Sequence, residues 1–255
     1  MLRFGVVIEP GQRLFANVVG RPDEEIELDV AALILGDWEY DHIDVAHYVG
    51  VLDELAAAVK VRISGAQRDD LAGPGDPRQL ALRALNHTLF EEQGFRGNQD
   101  DYYDPRNSFL HEVIDRRIGI PITLSVLYME VARRVGMTVH GISFPGHFLV
   151  RWDSDDGTVV IVDPFRTGLR LDTDDLEALL RGSSPSAKLE PAMLAPSSKR
   201  QILTRMLTNL AGIYGRSGDV VRSIAILERL HVLDPDNERL QRELDRLQRK
   251  QMTLN

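Results

Sequence analysis

The stretch GIPITLSVLYMEVARRVG, residues 119–136, constrains the fold of this chain more than any other. Pro121 suits the first position of a helix, where its missing N–H costs nothing, and Gly136 suits the residue just past the end. Between them Leu124, Leu127, Tyr128, Val131 and Val135 repeat at helical spacing, which predicts a nearly buried helix. The segments MTVHGISF, GHFLVRW and TVVIVDPF that follow are rich in β-branched and aromatic residues and read as strands, the last two joined by a DSDDG turn. Helices first and then a meander of strands predict an α+β fold with an antiparallel sheet.

Upstream, residues 25–61 read as two helices, one through Ala31, Leu33 and Ile34, the other carrying Val45, Tyr48, Val49, Leu52, Leu55 and Ala56. A turn-rich LAGPGDP separates them from the amphipathic RQLALRALNHTLFEEQGF, after which the polar RGNQDDYYDPRNSF must be loop and HEVIDRR a short helix. Downstream, GSSPSAKLEPAMLAPSS shifts to Ser, Pro and Ala and reads as a linker, and the remainder is helical. The expected division is a main domain over 1–182, a linker over 183–197 and a helical segment over 198–255. Within that segment, a window starting at Thr204 puts Tyr214 at the aromatic site of a first helix, small Ala211 near the helix crossing, Leu227 on a second helix and Pro235 at the close. It resembles one tetratricopeptide repeat, with Ser223 and Leu230 where small alanines are usual. A lone repeat cannot bury its own apolar face, so it must pack on the main domain, on the following helix or on a partner.

The formal net charge of −9, with no basic stripe, argues against nucleic acid and anionic lipid as partners. The N-terminal apolar run is broken by Glu9, Pro10 and Gly11 before a signal-peptide core can form, and no stretch reaches the roughly 18 apolar residues of a membrane span. A cytoplasmic protein is expected. The chain has no cysteine, which removes disulfides, thiolate ligands and thiol nucleophiles together.

The strands place two chemically interesting residues. If residues 153–157 form the hairpin loop, Trp152 faces Thr158, and counting outward sets His147 directly opposite Asp163 with Cβ atoms roughly 5 Å apart. A one-residue slip would put them on opposite faces. An aspartate there fixes the tautomer and orientation of the imidazole, the supporting role in nucleophilic triads; alternatively, the pair simply ties two strands together.

The blocks DDYYDPRNSFL, DRRIGIPITLSVLYMEVARRVGM, and FPGHFLVRW followed by VDPF resemble the SirB-type transglutaminase-like family, in which such a domain precedes a tetratricopeptide repeat. The resemblance covers roughly residues 25–240. It implies a papain- or transglutaminase-like helix packed on an antiparallel sheet, with a triad of Cys at the helix N-terminus, His on a following strand and Asp on the next. It places the His at His147 and the Asp at Asp163. The Cys should fall near Pro121 to Thr123, where no thiol exists. A hydroxyl cannot be made a standing anion as a thiol can, so Thr123 or Ser125 would need His147 as general base. Their plainer roles are a first-turn hydroxyl that caps or packs for Thr123, and for Ser125 a hydroxyl bonded to the carbonyl four residues back.

The loop residues Tyr102, Tyr103, Asp104, Arg106 and Asn107 form a set of polar groups and aromatic faces fit to line a cleft and bind a peptide or small polar ligand; alternatively, Arg106 and Asn107 tie down a long connection, with Arg116 and Arg117 pairing to the aspartates. Neither His42 with His47 nor His140 with His147 has metal-ligand spacing, and no phosphate-binding glycine loop occurs, so neither metal nor cofactor is expected. Two functions follow. One is a non-catalytic binding or regulatory module acting on a protein or peptide partner through the cleft and the helical tail. The other is a hydrolase or acyl-transfer enzyme using Thr123 or Ser125 with His147 and Asp163.

Overall fold

The computed structural model describes residues 10–68, 77–153 and 157–254. Most of the N-terminal run and of the LAGPGDP turn, and the middle of the DSDDG turn, lie outside the described residues. The chain forms two compact units, one of residues 46–198 and one joining the N-terminal part to 199–255. The expected linear division differs, because it assigned the N-terminal helices to the main domain.

In the larger unit, α3 (Val45–Arg68) and α4 (Pro77–Asn86) precede a π-helical turn at His87–Glu92. Two short strands, β1 (Arg96–Gly97) and β2 (Ile118–Gly119), pair in parallel and bracket the polar loop and α5 (Leu110–Arg116). The helix α6 (Pro121–Val135) starts and stops as its sequence dictates, with Pro121 in the first turn and Gly136 at φ +87°. Its residues are buried on nearly every side, Ser125 and Glu130 included. Glu130 is tolerated there because Arg133 and Arg134 both donate to Oε2, at 2.8 and 2.9 Å. The Tyr128 hydroxyl donates to Asn86 Oδ1 at 2.8 Å, and burial raises its pKa.

The four strands β3 (Val139–Ile142), β4 (Leu149–Asp153), β5 (Val159–Asp163) and β6 (Leu169–Leu171) form an antiparallel meander in that order. The helix α6 packs on β3 and β4. Ile142, Leu149, Ile161 and Leu171 form a separate core with Leu176 and Leu180 of α7 (Thr173–Ser183), which Asp172 caps by accepting the Asp175 N–H at 2.9 Å. The segment expected to be a linker is packed rather than loose. Leu189, Met193 and Leu194 lie against that core, and the Ser197 N–H donates to Gly141 O at 2.8 Å.

The second unit consists of α1 (Pro10–Val19), α2 (Leu28–Ile34), α8 (Lys199–Ser217), α9 (Val220–Leu233) and α10 (Glu238–Leu254). Here the apolar face of the α8–α9 hairpin finds its cover: α10 and α1 pack on α9, and α2 packs on α8. The join is also polar. Asp23 accepts the first N–H groups of α8, from Lys199 at 3.0 Å and Arg200 at 2.9 Å, as a helix N-terminus favours. No helix among the described residues is long and apolar enough to cross a membrane.

Within the larger unit His111 is buried beside Phe109 and Tyr48, its ring 5.8 Å from the latter. Burial pushes its pKa down from 6.5 to about 4, against the pull of Asp115. The unfolded chain then binds the extra proton first. The stability contributed by neutral His111 is therefore complete above pH 6.5 and is lost as pH falls towards 4. The wild type should lose about 2 kcal/mol more than a His111→Gln variant between pH 7 and pH 4.5 in chemical denaturation.

Candidate functional site

Asp163 ends β5 and caps the short turn Pro164–Arg166, with Oδ1 accepting the Phe165 N–H at 3.0 Å. The carboxylate is fully buried, and His147 Nε2 lies 3.0 Å from both of its oxygens. The expected pair therefore forms, although not by the expected register. The ladder pairs Asp153 with Val159 and Val150 with Val162, a shift of two from the Trp152–Thr158 pairing, and Asp163 faces Leu169 on β6. A shift of two leaves both residues on the faces they had, and the imidazole spans the remaining diagonal.

His147 lies just before β4, and the local backbone explains its aim. Its N–H donates to Phe144 O at 3.0 Å, closing a tight turn. Gly146 adopts φ +70°, and the position a Cβ would take there is 2.4 Å from the Ser183 Cβ. Only glycine allows that approach to α7. The Ser183 hydroxyl fastens the contact by donating to Pro145 O at 2.9 Å. With Nε2 committed to Asp163, the imidazole's other nitrogen, Nδ1, makes no hydrogen bond among the described residues.

An aromatic row leads away from the imidazole. Phe165 meets His147 edge to face at 5.9 Å, Tyr102 meets Phe165 at 6.1 Å, and Tyr103 meets Tyr102 at 5.2 Å. Phe165 sits on the backbone of Gly97, where an added Cβ would come within 2.5 Å of the ring. Tyr102 and Tyr103 are exposed, at 38% and 62%. Phe165 and Gly97 escaped the sequence reading. The signal for Phe165 was its place in VDPF, directly after the aspartate.

The other loop residues serve the connection. Asn107 is fully buried; its side chain donates to Asp101 O at 2.8 Å and accepts from Asn98 Nδ2 at 3.1 Å. Asp104 caps the turn Pro105–Ser108, accepting from the Arg106 N–H at 3.0 Å and from the Arg106 and Arg116 guanidinium groups. Burial alone would raise its carboxyl pKa, but the Arg106 hydrogen bonds and the nearby Arg116 charge hold it below the usual carboxylate range. Arg117 lies 4.6 Å over the Phe95 ring, and among the described residues no ion pair joins it to an aspartate.

Thr123 and Ser125 are both fully buried in α6. The Thr123 hydroxyl donates to Asn107 O at 2.7 Å and accepts the Ile120 N–H at 3.2 Å. The Ser125 hydroxyl has no hydrogen-bond partner among the described residues, so it does not bond to the carbonyl four residues back. Neither hydroxyl is hydrogen-bonded to His147.

Comparison with known proteins finds related chains. Residues 46–208 match the model of the Transglutaminase-like superfamily. A UPF0162 protein of Xylella fastidiosa is 36% identical over 227 residues, spanning 88% of this chain and 77% of the relative. A UPF0162 protein of Pseudomonas aeruginosa is 36% identical over 191 residues, 74% of this chain and 66% of the relative. The F-box only protein 21 of Mus musculus is 35% identical over 144 residues, 54% of this chain but only 22% of that protein. No solved structure matches the chain.

The Thr123 bonds predict a structural cost. Thr123→Val leaves Asn107 O and the Ile120 N–H without their partner and should lower stability by about 1–3 kcal/mol, whereas Thr123→Ser should cost less than about 1 kcal/mol, both read by urea denaturation.

Proposed function

Because this chain belongs to the Transglutaminase-like superfamily, we propose that it is a non-catalytic binding or regulatory module in which the surface around His147 serves recognition. One observation carries the reading. The hydroxyl at the start of α6, where the resemblance puts a thiol, is closed off by its 2.7 Å bond to Asn107 O. To attack a substrate Thr123 would have to leave that bond and the Ile120 N–H, and come out of complete burial. Ser125 lies deeper on the same buried helix, and the chain has no cysteine to stand in.

The aromatic row suits a peptide or protein partner, since exposed tyrosines supply large contact area at little entropic cost. Within this reading the chain is of the SirB type, cytoplasmic, and its α8–α9 hairpin is a single tetratricopeptide-like repeat that contributes to partner binding.

The intact His147–Asp163 geometry favours the second reading, a hydrolase or acyl-transfer enzyme working through a hydroxyl. An oriented imidazole with an available nitrogen is what a general base requires. The two readings separate with a fluorophosphonate probe on the intact protein. The binding module should show no labelling above a denatured control. Stoichiometric labelling that disappears in both His147→Gln and Thr123→Val or Ser125→Ala would establish the enzyme instead.

A further inference from the structure

The α8–α9 hairpin reads three consecutive residues of the N-terminal segment, one side chain for each. Arg222 grips Glu39 through two nitrogens, Nε at 2.7 Å from Oε2 and Nη2 at 2.8 Å from Oε1. Arg229, almost fully buried, donates from Nη2 to Asp37 Oδ1 at 2.6 Å. Between these two carboxylates, the Trp38 indole lies edge to face with Tyr214 at 6.0 Å, with the Arg229 guanidinium 5.8 Å from its ring. A two-nitrogen guanidinium grip, a second charge-assisted bond and an aromatic seat are the elements from which peptide-recognition sites are built.

The resident segment does not fit this site completely. Asp37 Oδ2 is buried without a hydrogen-bond partner among the described residues. A carboxylate oxygen left unmatched weighs against the seated segment, so another segment whose carboxylates were fully satisfied would have an advantage. The sequence order acidic, aromatic, acidic defines the chemistry of such a competitor.

We propose that the face formed by Tyr214, Arg222 and Arg229 is a recognition site for a peptide segment with an aromatic residue flanked by carboxylates, and that Asp37–Trp38–Glu39 occupies it in cis as a displaceable strap. The proposal is independent of whether His147 does chemistry.

The test is titration of a GDWEYD-amide peptide carrying fluorescein on its N-terminal amine into the full chain. The wild-type strap competes at an effective concentration in the millimolar range, so a strap variant carrying Asp37→Asn, Trp38→Ala and Glu39→Gln should bind the peptide at least about tenfold more tightly than wild type. The peptide acetyl-GNWQYD-amide should bind that variant about tenfold more weakly, and adding Arg222→Ala should have a similar effect. Equal binding by wild type and folded strap variant, or indifference to the carboxylates or to Arg222, overturns the proposal. If the variant does not fold, about 1 mM acetyl-GDFEYD-amide should increase iodide quenching of tryptophan in the wild-type chain, and no increase overturns it equally.

Discussion

Thr123 Oγ1 is the atom at which this fold is joined. It stands in the first turn of α6, accepts the N–H of Ile120 and donates to Asn107 O, so one hydroxyl ties the buried helix both to its own start and to the loop before α5. The same Asn107 holds the loop through its side chain, reaching back to Asp101 and Asn98. The parallel pairing of Gly97 with Gly119 fixes both ends of that excursion. Such fixed backbone lets a long polar loop present Tyr102 and Tyr103 beside Phe165 without an apolar core of its own.

Much of this was legible in the sequence wherever a residue's local requirement and its tertiary role coincide. Pro121 and Gly136 bound α6 as their backbone preferences dictate, and β-branched runs became β3, β4 and β5. The His147–Asp163 contact was reached through a register that was wrong by two. It survived because strand periodicity is two and an imidazole is long enough to cover the diagonal. What stayed hidden is what tertiary packing alone decides. β1 and β2 are two residues each and hold no pattern, and β6 and α7 lie beyond the last strand that the sequence pattern marked. Phe165 joins the site only because Gly97 makes room for it, a relation between distant residues that no periodicity reports.

The helical unit illustrates the same division. A lone hairpin was expected to need cover, but nothing in the tail itself reveals that part of the cover comes from the opposite end of the sequence. Asp23 capping α8 and α1 packing on α9 are contacts between residues 176 or more positions apart. Closing a loop of that length costs only slowly growing entropy, so a folded domain inserted between the two halves is no obstacle to their joining.

A buried His–Asp pair is weaker evidence of catalysis than it looks, for a reason that lies in burial. The Asp163 carboxylate is wholly removed from water, a placement that is costly unless donors surround it. The Phe165 N–H and the His147 ring are those donors, with Arg166 Nε 3.6 Å away on the exposed side. Replacing His147 would leave a buried charge under-satisfied at the point where β5 turns towards β6. The pair is thus held by the stability of the sheet whether or not a nucleophile is present. A thiol on α6 could therefore be absent without removing the structural reason for the histidine.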